Sequence, residues 1–286
     1  MRTIVLIGDP VAESVSPAMH RAAFVAEGLE IDYQALQIPP GRLAMAFPRL
    51  RRKHLGMNVT RPFKEEVIPL LDDLSDEARR AGSVNTIELR RGRAIGHSTD
   101  VPGFLAALER AGTPLPNRAV ILGTGGAARA VVAALRGIGA AVMVSGRNAS
   151  ASARLAAQMG GTALAPTAPA IGGALAEADL LVNATPVGGG PNGRGSPLPG
   201  GVSLHPGLTV CDLVYRPRRT SLLSTARAAG CRTVEGIEML IEQGARSFQI
   251  WLERRPPIEV MRQAAYRALE NRRTDGTADA ASPAGA

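Results

Sequence analysis

The sequence predicts an α/β protein built on mostly parallel sheets. Strand-like and helix-like segments alternate along most of the 286 residues, the pattern that layered α/β folds require. A glycine-rich turn joins a strand to a helix at 123–128. After Gly236 the alternation ends in two helical stretches that close the chain.

In the first third, strands are read at TIVLIGD (3–9), IDYQALQI (31–38) and LGMNVT (55–60), with helices near 17–28 and 41–50 between them. NVTRPFK (58–64) leads into EEVIPLLDDL, which reads as a helix. SVNTIELRRGRAIGHSTD (83–100) contains two short strands joined at Arg91-Gly92, a hairpin signal. VPGFLAALERAG (101–112) is a helix stopped by Gly112 and Pro114.

A second alternating series runs from 117 to 148 and continues through ADLLVNATP (178–186), LTVCDLVY (208–215) and CRTVEG (231–236). The Gly- and Pro-rich stretch 186–201 is expected to be a mobile loop. Residues 237–253 and 257–271 are helical, and the tail 272–286 lacks apolar periodicity and is expected to be disordered.

Hydrophobic residues at 45% and charged residues at 20% are values that can bury a core. The net charge of +8 is spread along the chain apart from clusters such as Arg49, Arg51, Arg52 and Lys53, and aromatic residues are only 3%. A nucleic-acid reader would want a basic stripe with stacking aromatics, so no nucleic-acid partner is expected. Anionic small molecules suit the positive balance better. Cys211 and Cys231 have no paired spacing, which argues against a disulfide framework or a metal site and for a reducing compartment. MRTIVLIGDP reads as a first strand and not a signal peptide. No stretch has the roughly 20 apolar residues needed to span a bilayer. A soluble, cytoplasmic protein with no membrane partner is expected.

The strand AVILG runs into G-T-G-G-A-A (123–128), a G-x-G-x-x-A spacing with Ala128 in the third glycine's place. Glycines let the backbone approach a pyrophosphate that rests on the amides of the following helix. Inside a strand–turn–helix–strand unit this predicts dinucleotide binding. The next strand ends at Gly146-Arg147-Asn148, with no acidic residue to grip a ribose 2′-hydroxyl. Arg147 instead suits a 2′-phosphate, which favours NADP over NAD. Asn183, Thr185 and Pro186 end another strand at the edge where open α/β sheets bind ligands. Asn183 and Thr185 are taken as cofactor-side residues, with ordinary turn chemistry as the other reading.

Four polar clusters sit where strands of the first third give way to loops or helices: Ser14 and Ser16, then Asn58, Thr60 and Lys64, then Asn85 and Thr86, then Thr99 and Asp100. Singly each has a structural explanation, such as Ser16 capping the helix that Pro17 begins. Together they present hydroxyls, amides, one cation and one carboxylate, which suits a polyhydroxylated anion. A lysine and an aspartate held close also form a proton-transfer pair. A cation in a first helical turn gains nothing from the helix dipole, so Lys64 is read as placed for a substrate oxygen and for Asp100.

The chain to about residue 271 resembles the shikimate dehydrogenase family. The resemblance rests on GDPVAESVSPAMHRAAF (8–24), NVTRPFK (58–64), AGSVNT (81–86), STD..G (98–103), GTGGAARA (123–130), NATPVG (183–188), DLVYRP..T (212–220) and GIEMLIEQGA (236–245), in that order. It implies reduction of 3-dehydroshikimate to shikimate with NADPH, in the shikimate pathway of aromatic amino-acid biosynthesis. It also implies an N-terminal α/β substrate domain (1–100, completed by 237–271), a Rossmann-type doubly wound dinucleotide-binding domain (101–236) and an active site in the cleft between them. Ser14 and Ser16 would then bind the substrate carboxylate, while Thr60, Asn85, Asp100 and Gln243 hold its hydroxyls. Lys64 and Asp100 would be the catalytic pair, with the proton carrier between them left open. Gly123, Gly125, Gly126 and Ala127 would take the pyrophosphate, and Arg147 the 2′-phosphate. Tyr215 and Gly236 would line the cleft near the nicotinamide. A homodimer is common in the family.

Three positions depart from the family pattern. Glu13 stands where histidine usually precedes the serine pair, and a carboxylate there opposes an anionic substrate unless it points away. Ser98 replaces the usual asparagine before Thr99-Asp100, and Gly189 replaces a methionine that lies near the nicotinamide. Two rivals follow: a quinate/shikimate dehydrogenase or relative acting on another cyclitol carboxylate, and a nucleotide-binding regulator without turnover. Arg147 without a neighbouring acid argues against an NAD-linked quinate enzyme, and the intact Lys64 and Asp100 argue against the regulator.

Overall fold

The computed structural model describes residues 2–190 and 195–275. It consists of two six-stranded sheets with helices packed on both. The first half contains β1 (Arg2–Gly8), α1 (Ser16–Ala26), β2 (Ile31–Gln37), α2 (Leu43–Lys53), β3 (Gly56–Val59), α3 (Phe63–Glu66), a 3-10 turn (Ile68–Leu70), β4 (Asp73–Leu74), α4 (Asp76–Ala81), β5 (Thr86–Arg90) and β6 (Arg93–His97). The strand order is β2-β1-β3-β5-β6-β4. β1 pairs in parallel with β2 and β3, whereas β5 runs antiparallel to both β3 and β6. The β5–β6 hairpin turns at Arg91 and Gly92, both with positive φ (50° and 76°), as a two-residue turn of this hand demands.

α5 (Asp100–Arg110) leads into the second half: β7 (Arg118–Leu122), α6 (Gly126–Gly137), β8 (Ala141–Ser145), α7 (Ala149–Met159), β9 (Thr162–Leu164), α8 (Ala168–Leu175), β10 (Leu180–Asn183), β11 (Thr209–Asp212), α9 (Ser221–Ala228) and β12 (Arg232–Glu235). Every neighbour in the order β12-β11-β10-β7-β8-β9 is parallel. This is the doubly wound arrangement, whose chain reverses direction between β7 and β10. Ligands bind at such a switch point because the two diverging loops leave a crevice beyond the strand ends. The strands are buried on both faces, so they read as apolar runs such as AVIL and LLVN.

α10 (Gly236–Leu252) and α11 (Ile258–Asp275) then return to the first sheet. Ile237, Ile241, Ala245 and Phe248 of α10 and Met261 and Ala265 of α11 share one core with Ile4, Leu6, Phe24 and Tyr33. Fully burying an apolar side chain of this size contributes roughly 1.5–3 kcal/mol. Phe248 and Phe24, with ring centroids 5.9 Å apart, pack the end of the chain on its beginning together with the rest of this cluster.

The structure alters several sequence expectations. EEVIPLLDDL is not one helix. It forms a single α turn and a 3-10 turn, because Pro69 has no amide hydrogen to continue the ladder. Ser16 does not cap α1, since the cap is Val15 and Ser16 is already helical. β4, β9, α4, α8 and α9, each eight residues or fewer, and α7, five of whose eleven residues are alanine, are elements that the sequence reading does not contain. α11 runs to Asp275, inside the segment assigned to the tail, and residues 276–286 lie outside the described residues. The expected mobility of 186–201 falls partly on 191–194, which also lie outside them. Among the described residues no helix is long and apolar enough to cross a membrane.

His20 lies fully buried in the core under α10. Its ring stacks on Tyr33 at 4.6 Å with 6° between planes and tilts against Trp251 at 5.4 Å, and neither ring nitrogen has a hydrogen-bond partner among the described residues. Burial lowers its pKa from 6.5 to about 3, so the native state holds it neutral. The unfolded chain binds a proton there near neutral pH and the folded chain does not. This residue's contribution is therefore intact above about pH 6.5 and falls as the pH drops toward 3. Urea unfolding should show about 2 kcal/mol less stability at about pH 5 than at about pH 7 from this group. The His20→Phe variant should lose that share of the pH dependence, and an unchanged profile would refute the assignment.

Candidate active site

The cleft between the two sheets encloses about 1400 Å³ and is lined from both sides. On the side of the first sheet, β3 delivers Thr60, whose amide donates to the Ile7 carbonyl at 2.9 Å, and the single turn of α3 follows. Phe63 anchors that turn in the core and Lys64 points the other way, its own carbonyl accepting from the Val84 amide at 2.8 Å. The Lys64 amine donates to Asp100 Oδ2. Lys64 is 16% exposed and Asp100 5%, so both charges are largely withdrawn from water. Because α3 is one turn long, its dipole is small, and Asp100 rather than helix electrostatics fixes the lysine.

Asp100 opens α5, and its Oδ1 accepts from Asn85 Nδ2 at 2.9 Å. The same Asn85 nitrogen lies 2.8 Å from Thr99 Oγ1 and 2.9 Å from Gln243 Oε1. An amide nitrogen carries two hydrogens, so three oxygens converge on two donors. Thr99 Oγ1 also lies 3.4 Å from Gln243 Oε1 and 3.2 Å from both Thr86 Oγ1 and Ser247 Oγ, so neighbouring hydroxyls share these acceptors. Gln243 arrives on α10 and is steadied by its Nε2 donating to the Leu240 carbonyl at 2.7 Å. Ser14 and Ser16 lie at the mouth, where the Ser16 amide donates to Ser14 Oγ at 3.2 Å. Burial raises the Tyr215 hydroxyl above its ordinary pKa, opposed by a hydrogen bond with Ser14 and by the charges of Arg216 and Arg61.

Behind these groups lies a buried layer that the sequence reading missed in part. Asn58, grouped with the site residues, borders the cleft, but its side-chain hydrogen bonds run to the layer behind it. Its Oδ1 accepts from the Tyr33 hydroxyl at 2.6 Å, and its Nδ2 faces the Asn85 carbonyl, Thr86 Oγ1 and Ser247 Oγ at 3.0–3.1 Å. Ser247 also donates to the Gln243 carbonyl at 3.0 Å. Its spacing of four from Gln243 puts both on one helix face, a signal available in the sequence.

On the side of the second sheet, Gly123 follows β7 with φ of +121°, where a Cβ would meet the Ala184 backbone at 2.9 Å. A Cβ on Gly125 would project into open space, the room that a phosphate occupies. At Gly126 the position a Cβ would take lies 2.9 Å from the Lys64 Cβ and from Ser83 Oγ, so α6 starts directly against the lysine's stem. α6 has no side-chain cap and no acidic residue in its first turn, leaving its amides to an anion. Ala127 also lines the cleft. Arg147 is exposed just after β8, lines the cleft and has no ion-pair partner among the described residues. These features fit a dinucleotide carrying an extra phosphate. Thr185 and Gly236 line the same space.

Asn183 does not face it. The residue is fully buried, with Nδ2 donating to Asp212 Oδ1 at 2.8 Å and to the Val187 carbonyl at 3.1 Å. Its Oδ1 accepts from the Thr185 amide and hydroxyl at 3.0 and 2.6 Å. The strand-end asparagine shapes the loop that carries Thr185, which is ordinary turn chemistry. Burial also holds Asp212 above the usual carboxylate range despite bonds from Thr220, Val214 and Asn183. Gly189, one of the three departures, is close-packed: a Cβ there would lie 3.1 Å from the Pro186 carbonyl and 3.3 Å from Val214. Among the described residues no group of three or more His, Cys, Asp or Glu is placed to hold a metal.

Comparison with known proteins places this architecture. Residues 6–87 match the shikimate dehydrogenase substrate binding domain, and 236–266 match the shikimate 5'-dehydrogenase C-terminal domain. The chain is 43% identical over 279 residues to shikimate dehydrogenase (NADP(+)) of Symbiobacterium thermophilum, covering 94% of this chain and 95% of that one. A crystal structure of shikimate 5-dehydrogenase from Thermus thermophilus, in complex with NADP(H) and shikimate, superposes with a TM-score of 0.86 at 41% identity, covering 94% of this chain and all of that one. Quinate dehydrogenase from Corynebacterium glutamicum in complex with NAD superposes at 0.83 with 32% identity, covering 93% and 99%. A relative this similar across nearly the whole of both chains leaves one conclusion: the chain belongs to the shikimate dehydrogenase family.

Proposed function

We propose that this protein is an NADP-dependent oxidoreductase that interconverts 3-dehydroshikimate and shikimate, acting on the ring CH–OH group in the shikimate pathway. The observation that carries the reading is the meeting of two half-sites in one cleft. The dinucleotide turn at Gly126 abuts the stem of Lys64, and Lys64 is paired with Asp100 among hydroxyl-binding amides. A bound NADP(H) would supply or accept the hydride.

Negative charge develops on the ketone oxygen as the carbon is reduced. Lys64 stabilises that charge and, with Asp100, forms the unit that moves the proton, a contribution of roughly 10²- to 10⁴-fold. Thr60, Asn85 and Gln243 orient the ring hydroxyls, and Ser14 and Ser16 receive its carboxylate. Gly123, Gly125, Gly126 and Ala127 cradle the pyrophosphate, with Thr185 and Gly236 beside the nicotinamide and Tyr215 over the ring. The domain division at about residues 100 and 236, a cytoplasmic location and a homodimer belong to the same reading.

The direct test is NADP⁺ reduction, followed by NADPH absorbance, with shikimate and quinate in parallel. Turnover of shikimate in preference to quinate is expected, and activity on neither would overturn the proposal. The Lys64→Ala variant should lose at least 100-fold in kcat, consistent with removal of acid–base help of roughly 10²- to 10⁴-fold, while its Kd for NADPH barely changes. Retained turnover would sink the catalytic role. Arg147→Ala should weaken NADPH by roughly 10-fold or more and NADH little, since it removes a charge-assisted bond that only the 2′-phosphate can accept. Equal losses on both cofactors would show that Arg147 does not read the phosphate.

A further inference from the structure

The Ser14–Ser16 subsite poses an electrostatic problem. Two hydroxyls are neutral, and a carboxylate moved from water into a partly buried cleft needs a cation or a dense set of donors. Lys64 is already engaged by Asp100. Glu13, next to the subsite in sequence, adds a negative charge to the cleft lining. An anion would be repelled there unless something offsets that carboxylate.

Arg216 does so. It follows β11, on the second sheet, whereas Glu13 lies in the loop after β1, on the first. The Arg216 Nη1 comes within 3.9 Å of Glu13 Oε2 across the mouth of the cleft. The other arm of the fork, Nη2, is buried and has no hydrogen-bond partner among the described residues. A buried guanidinium nitrogen without an acceptor is rare in folded proteins and calls for a missing partner. The surroundings say what that partner is. Arg216 lines the cleft with Ser14 and Ser16, and its charge acts on the Tyr215 hydroxyl that Ser14 bonds. Arg61, the other cation acting on that hydroxyl, is exposed to solvent.

We infer that Arg216 is a substrate-binding residue: its unpartnered arm takes the ring carboxylate beside Ser14 and Ser16, while Glu13 holds the other arm from the opposite side of the cleft. This rests on the function proposed above. It turns Glu13, unfavourable as a lone charge, into the group that aims the fork. It also makes carboxylate recognition depend on both halves of the molecule, because the serines sit on one and the arginine on the other.

The test compares shikimate with its uncharged methyl ester in wild type and Arg216→Gln, using turnover for KM and kcat and calorimetry for Kd. Losing one charge-assisted contact should raise KM and Kd for shikimate by roughly 10- to 100-fold. kcat and the KM for NADP⁺ should stay within about threefold, and the ester should bind both proteins equally. Arg216→Lys, which keeps the charge without the fork, should recover part of the affinity and guards against misfolding of the glutamine variant. Unchanged shikimate affinity in Arg216→Gln, or equal losses on acid and ester, would overturn the inference, the latter indicating a purely structural role. Wild-type protein that binds shikimate without turnover would overturn the proposed reaction and leave the calorimetric comparison to decide on Arg216. Wild-type protein that binds no shikimate overturns both.

Discussion

Two opposite charges, Lys64 and Asp100, are held nearly out of water at the bottom of the cleft, and the surrounding structure is organised around making that arrangement tenable. Withdrawing a carboxylate and an ammonium from solvent is unfavourable unless each finds a close partner and further hydrogen bonds satisfy the rest. Asp100 accepts from both Lys64 and Asn85. Asn85 is in turn fixed through its Oδ1, which accepts from the Thr99 amide at 2.7 Å. Behind them, Asn58, Thr86 and Ser247 close a buried polar layer that ends at the Tyr33 hydroxyl. A network of this kind stiffens a site only when its members are satisfied together.

That layer draws on distant parts of the chain. Ser247 and Gln243 belong to α10, which reaches the first sheet only after the chain has built the whole second sheet. Apolar packing of Ile237, Ile241 and Phe248 against β1 and α1 pulls the helix back. The same helix begins at Gly236, whose missing side chain admits the Asp212 and Leu213 carbonyls at 2.5–2.6 Å from where a Cβ would be. One element therefore touches the cofactor-side strands at its start and the hydroxyl-binding amides at its middle. The contact of Gly126 with the Lys64 stem makes a second bridge between the halves.

Much of this was legible in advance. Alternation, the glycine turn and the hairpin signal gave the α/β class and the positions of the main strands along the chain, because each is a local property. The short or alanine-rich helices were not legible, since α8 is only eight residues long and alanine fills five of the eleven positions of α7, which makes its apolar face indistinct. EEVIPLLDDL misled because apolar spacing suggested a helix that Pro69 cannot continue. At the site, Lys64 and Asp100 stood out as residue types, yet nothing local placed them in contact across 36 positions. Asn183 was ambiguous for the same reason: a strand-end asparagine can face a ligand or its own loop, and the buried Asp212 beside it decides for the loop.

By itself the sequence determined the secondary-structure alphabet, the dinucleotide turn, the absence of an acid beside Arg147 and the family to which the blocks belong. These follow from short-range backbone preferences and from residue chemistry that does not depend on neighbours far along the chain. Only the tertiary structure decided which polar side chains are paired, which are buried and which remain open to a ligand. Hydrogen-bond satisfaction and charge compensation act over a few ångströms in space, between groups that the sequence separates by tens or hundreds of positions. The Glu13–Arg216 contact is the clearest case. Taken alone, neither charge announces the other, and only the folded cleft gives one arm of the arginine a carboxylate and leaves the other without a partner among the described residues.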